Sequence, residues 1–328
     1  MNNFPDNKKF AFSIFDDTDL STVENTAPMY HLLTELGMRT TKSVWPLSSV
    51  SEGKYGGRSL QDAAYLDFIL ELRNTGFEIA LHGMRNHHSS RALVEAGFAE
   101  FRRLIGYDPR VHANHSRNRD NVYWGAERFR LLKPFYTVAS YFSGKRGFEG
   151  HVPGSEFFWG DLCREHLDYV RDFVFHEINL DRVNPTMPYH DKAKPFVKYW
   201  FSSCDGADAD SFCELLSESN QERLERERGV CVIYTHFACG FVEAGHVHRQ
   251  VEKVLRALAR RNGWFVPVSR LLDHLRAERK LDHLPNTESI RMECRWAYDR
   301  LNSFIRQAFA VRKRACCDPV LLDHAHAR

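Results

Sequence analysis

Short apolar runs alternate with amphipathic stretches along most of the chain. Residues 9–15 (KFAFSIF) read as a buried strand that stops at Asp16-Asp17, and 26–36 carries apolar residues at helical spacing up to Gly37. A second strand is expected at 40–45, a helix at 62–75 closed by Gly76, and a third strand at 77–81 that runs into His82. Further on, 90–105 reads as a helix stopped by Gly106, 230–235 (VCVIYT) as a strand ending at His236, 249–262 as a helix and 264–268 as a strand. This order, strand then polar residue then helix, predicts a parallel α/β sheet or barrel with its chemistry at the carboxyl ends of the strands. The stretch 144–206 has weaker periodicity and reads as loops and irregular strands over one face. An amphipathic helix is expected over 289–311, followed by a polar tail.

Composition narrows the picture. The chain has 328 residues, of which 43% are hydrophobic, so a sizeable core is expected. A formal net charge of +2 gives no basic excess for nucleic-acid binding. No run approaches the roughly 18 apolar residues of a membrane span. The start MNNFPDNKKF has no apolar core of a secretion signal, which sets a cytoplasmic expectation. Eight cysteines without paired spacing read as reduced thiols.

Three fragments carry candidate chemistry. Asp16 and Asp17 are adjacent carboxylates at a strand end, a costly juxtaposition that a cation or proton would relieve. His82, His87 and His88 cluster after the third strand and suit a divalent metal. His236 ends the late apolar strand, where a hydrolase would need an acid for its leaving group. In this order the fragments FDD (15–17), GFEIALH (76–82) and VIYTH (232–236) resemble the polysaccharide deacetylase family, with its NodB homology domain (carbohydrate esterase family 4), over roughly residues 10–275.

The resemblance implies a distorted, incomplete (β/α)7-type barrel over residues 1–285, with a C-terminal helical extension over 286–328. It also implies hydrolysis of an N-acetyl or similar acyl amide on a carbohydrate or lipid-linked amino sugar. Carried over by position, Asp16 would be the general base, Asp17 and His82 metal ligands, and His236 the general acid, with Asp205 orienting it. The segment 110–118 would stand for the family's base-orienting motif, making Arg110, His115 and Asn118 substrate-binding candidates. The implied cofactor is a divalent ion, zinc first, with cobalt, manganese and nickel as further candidates.

Two departures bear on these roles. The family spaces its metal histidines four apart, but the fourth residue after His82 is Asn86. The second ligand is then His87, the preferred choice, or His88 or His115. Thr18 replaces the glycine of the family's TFDDG motif, and the usual Arg-Pro-Pro motif is absent. A metal-free carbon–nitrogen hydrolase and a silent glycan-binding barrel therefore stand as alternatives. Among aromatic residues, Phe135, Tyr141, Phe142, Phe157, Phe158 and Trp159 are candidate sugar platforms, with burial in the core the commoner fate.

Overall fold

A computed structural model describes residues 3–49, 55–115, 118–142, 147–279 and 283–317. Its centre is a ring of seven parallel strands, β1 (Phe10–Asp16), β2 (Thr41–Val44), β3 (Glu78–Leu81), β4 (Val111–His112), β5 (Tyr169–Phe175), β6 (Tyr199–Asp205) and β7 (Val230–Thr235), in chain order. The ring closes because β1 also pairs with β7, in parallel, from Ala11↔Val230 to Asp16↔Thr235. On its other side β1 meets β2 only at Phe15 and Asp16, while Phe10, Ala11 and Phe12 pair with β10 (Gly263–Phe265). That split makes the barrel the distorted (β/α)7 type that the sequence suggested.

Helices α1 (Val23–Glu35), α2 (Ala63–Asn74), α3 (Arg91–Ile105), α4 (Lys133–Phe142), α5 (Gly160–His166), α6 (Ala209–Leu215), α7 (Glu218–Arg226), α8 (Arg249–Ala259) and α9 (Val268–Arg279) follow in chain order. A two-stranded hairpin, β8 (Val242–Glu243) with β9 (His246–Val247), precedes α8. All seven residues of β1 are buried, as expected for a strand covered on both faces. Local signals set several helix ends: a reciprocal Thr22–Asn25 capping box opens α1, and Gly106, at φ +89°, closes α3 in a conformation that suits glycine.

Two expectations change. The stretch 144–206 contains α5 and two full barrel strands, not a loose cover. In β5 the sequence YVRDFVF places Arg171 and Asp172 inside a strand, and β6 carries two serines, so neither shows a clean apolar run. The strand expected at 264–268 ends at Phe265, and α9 begins at Val268.

The final helix, α10 (Asn286–Cys317), packs against β5. It is fastened there by buried acids. Glu293 accepts the backbone N–H groups of Arg130, Leu131 and Leu132 at 2.7–3.0 Å, and Asp299 accepts that of His176 at 2.9 Å. No helix among the described residues is long and apolar enough to cross a membrane. Cys163, Cys204, Cys213, Cys231, Cys239 and Cys294 are free thiols.

Candidate metal and acid–base site

Successive strand residues face opposite ways, and at the end of β1 this separates the two adjacent aspartates. Asp16 points out of the ring. Its carboxylate pairs with the Lys42 ammonium at 2.8 Å and accepts from the Tyr30 hydroxyl and the Phe237 backbone N–H, both at 2.9 Å. It is wholly buried and does not line the central cavity, so the general-base role expected for Asp16 has no geometric basis. Asp17 points inward. Both of its oxygens accept from Arg171 of β5, at 2.9 and 2.6 Å, and Asp17, expected as a metal ligand, also offers a ligand atom within 4.8 Å of those of Asp19 and His236. Burial pushes its carboxyl pKa up, but Arg171 and His82 outweigh that and hold it below the usual range.

Asp19, two residues further on, gathers the imidazoles. Its carboxylate lies 2.9 Å from His82 Nε2, 2.8 Å from His115 Nε2 and 3.5 Å from His236 Nε2. His82 leaves β3 just before Gly83, whose φ of +77° turns the chain, and its Nδ1 donates to the Ala113 carbonyl at 3.1 Å. That bond leaves Nε2 to face the carboxylates, the arrangement in which histidine serves as a ligand. His115 follows β4, with Asn118 beside its Nδ1 at 3.2 Å. Its imidazole pKa is lowered, by burial first. Asp19, His82 and His115 therefore offer ligand atoms within 4.8 Å of one another. His87 belongs to no such group among the described residues, because the turn after Gly83 carries it away from His82.

His236, expected as the general acid, follows β7 and lines the cavity. Its Nδ1 donates to the Ala207 carbonyl at 3.0 Å. Burial opposes its charge, but the hydrogen bond to Asp19 and the charge of Asp17 prevail, and its pKa is raised to about 9. Asp205 does not orient it. That carboxylate instead approaches His176 at 3.7 Å and Arg300 at 3.9 Å. Arg110 precedes β4 and so belongs to the amino-terminal end of the barrel, where Asp168 and Asp273 hold its guanidinium at 2.7 and 2.8 Å. A substrate-binding role does not fit that position. Asn118 touches His115, not the cavity wall.

These groups open onto a cavity of about 470 Å³, lined among others by Asp17, Asp19, His82, Arg171, Tyr234 and His236. A register shift in β5 between Arg171 and Val174 lets both residues face it. The expected aromatic platforms are elsewhere: Phe157 and Trp159 are buried, Phe135 is in water, and the side chains of Tyr141 and Phe142 lie outside the described residues. Trp124 and Trp296 line the cavity instead. Sequence reasoning missed Asp19, Arg171 and the α10 residues. Asp19 lies in the turn just after the paired aspartates, and Arg171 is a lone arginine in an aromatic strand, so both left a readable trace.

Two imidazoles and a carboxylate, buried and open to a cavity on one side, are a donor set that suits a divalent first-row ion, and the Nδ1 bond of His82 gives one ligand its orientation. Asp19, His82 and His115 would hold such an ion.

No protein-family profile matches the chain, and no curated protein sequence is detectably similar to it. Solved structures do resemble it. A protein from Mycobacterium smegmatis described as a polysaccharide deacetylase superposes with a TM-score of 0.50 at 14% identity, covering 87% of this chain and 96% of that one. Puue allantoinase gives a TM-score of 0.50 at 12% identity, covering 84% of this chain and 92% of that one. At such identities the likeness speaks to architecture, and in architecture this chain shares the barrel fold of the polysaccharide deacetylases.

Proposed function

We propose that this chain is a hydrolase that removes an N-acetyl or similar acyl group from an amino-sugar-containing substrate, free or lipid-linked. One observation carries the reading: an ionised carboxylate, Asp17, and a protonated imidazole, His236, lie within 4.8 Å of each other at the mouth of a barrel. A base and an acid on either side of one reacting carbon are what acyl hydrolysis requires.

Each Asp17 oxygen keeps a lone pair after the bidentate bond to Arg171, so Asp17 can take the proton of the attacking water while the guanidinium fixes its orientation. His236, charged at neutral pH, donates its Nε2 proton to the departing amine. Asp19 keeps it charged, the task first expected of Asp205. A divalent ion held by Asp19, His82 and His115 would polarise the acyl carbonyl and lower the pKa of water. Asn118 steadies His115, and Tyr234 closes one side of the cavity.

The test is acetate release from N-acetylglucosamine oligosaccharides in the presence of zinc, for the unaltered protein and for Asp17→Asn and His236→Ala. Either substitution should lower kcat by about 100-fold or more. Unchanged turnover in Asp17→Asn would sink the proposal.

The metal-free reading keeps one observation in its favour. Arg171 and protonated His236 already balance the charges of Asp17 and Asp19. Full activity after chelation, with no stoichiometric ion by plasma mass spectrometry, would select it.

A further inference from the structure

Two side chains of α10, Trp296 and Arg300, line the same cavity as Asp17 and His236. Trp296 is set in place by Phe129 and Phe173, with ring centroids at 5.0 and 6.3 Å. The Arg128 guanidinium lies 4.1 Å from the Trp124 ring centre and 5.6 Å from that of Trp296, and the Arg300 guanidinium lies 5.6 Å from the Trp296 ring. Two cations therefore share one indole. Their partners differ. Arg128 is mostly covered, its side chain 11% exposed, and bonded to the Asp172 side chain at 3.3 Å and its carbonyl at 2.6 Å. Arg300 has a long ion pair with Asp205, 3.9 Å, and its side chain is 45% exposed.

Like charges converging on one wall are unfavourable unless an anion joins them. The Arg128 pKa is lowered, chiefly by burial, and the nearby Arg300 adds to the effect. We infer that the α10 wall is a specificity subsite for an anionic group, a carboxylate or a phosphate, carried by the substrate away from its acyl group. Arg300 makes the contact, with Arg128 behind it and Trp296 holding both. Asp205 is the resident competitor for Arg300 and gives way to the ligand. The inference rests on the acyl-sugar reading above only for the choice of sugar.

Calorimetric titration of the full chain tests it. The probes are N-acetylglucosamine, its 6-phosphate, and N-acetylglucosaminuronic acid, which places a carboxylate at the same carbon. At low salt the unaltered protein should bind one or both anionic sugars at least about tenfold more tightly than the neutral one, as expected for a charge-assisted pair. The stronger of the two identifies the anion.

Arg300→Met, on a half-exposed position that should not disturb folding, should bring all three affinities within about twofold of one another. Asp205→Asn should tighten the anionic sugars by removing the competing carboxylate, a gain that a purely structural role would not produce. Equal affinities in the unaltered protein, no binding of either anion, or discrimination that survives Arg300→Met would each overturn the subsite. Tight binding of an anionic sugar without any acyl release would instead refute the hydrolase reading and leave the subsite standing.

Discussion

Replacing Lys42 by methionine should be among the most damaging single changes in this protein, although Lys42 touches neither the cavity nor the imidazoles. Its ammonium is wholly buried 2.8 Å from the equally buried Asp16 carboxylate, with the Ser21 hydroxyl as a second partner at 3.0 Å. At that distance and an effective dielectric constant of about 20, the attraction is about 6 kcal/mol before desolvation is counted. Burial works against the ammonium, yet Asp16 more than offsets it, and the Lys42 pKa is raised. Lys42→Met keeps most of the volume but leaves a buried carboxylate with only two neutral donors, Tyr30 and Phe237 N–H. The expected loss is about 3–5 kcal/mol. Adding Asp16→Asn removes the orphaned charge; its amide oxygen accepts from the Phe237 N–H and its NH2 can donate to the Tyr30 hydroxyl, so the double variant should recover most of that loss. Urea unfolding followed by tryptophan fluorescence reads all three variants. A loss under about 1 kcal/mol in Lys42→Met, or a double variant as unstable as the summed singles, would refute the buried-pair account.

Three further outcomes are expected. Zinc affinity by calorimetry should fall below detection in His82→Ala and Asp19→Asn and stay unchanged in His87→Ala; a loss in His87→Ala would put the ligand set elsewhere. Asn118→Ala should weaken zinc by about 10- to 100-fold, because Asn118 orients His115 without binding the ion itself, and unaltered affinity would deny it that role. Burial pushes the Asp120 carboxyl up to about 6, so the folded chain holds its proton more firmly than the unfolded chain does. Its contribution to stability is then present below pH 4 and is lost as pH rises to about 6, by up to about 3 kcal/mol. Asp120→Asn should flatten that part of the stability profile, and an unaltered slope between pH 4 and 7 would be the contrary result.

Much of the barrel could be read directly from the chain, and the reason is physical. Strands β1, β3 and β7 are short, mainly apolar runs largely buried on both faces and followed by polar residues, so hydrophobicity marks them. Strand β5 escaped because its interior carries Arg171, and the same charge that hides the strand equips the site. The motif-bearing segments were also identifiable, but the assignment within them slipped by one face. Asp16 and Asp17 are equivalent in a string of letters and opposite on a pleated strand, and only the pairing of β1 with β2, which brings Lys42 beside Asp16, tells them apart. The preference for His87 over His115 has a similar origin, because His115 meets Asp19 from a different strand, 96 residues away in sequence. Helix α10 was read as an appendage because its amphipathic pattern says nothing of what it packs against.

Closure of the ring through β1 and β7 has a consequence for how the chain is made. During synthesis β1 emerges early and its far neighbour late, with β5 and Arg171 between them. Until β7 arrives, the Phe237 N–H cannot reach Asp16, and Asp19 has no His236 to charge. A chain lacking β7 therefore has no imidazole from His236 beside Asp17 and Asp19. On the proposed function, the Asp17–His236 couple comes into being only when the circle shuts, so completion of the barrel and readiness for that chemistry would be one event.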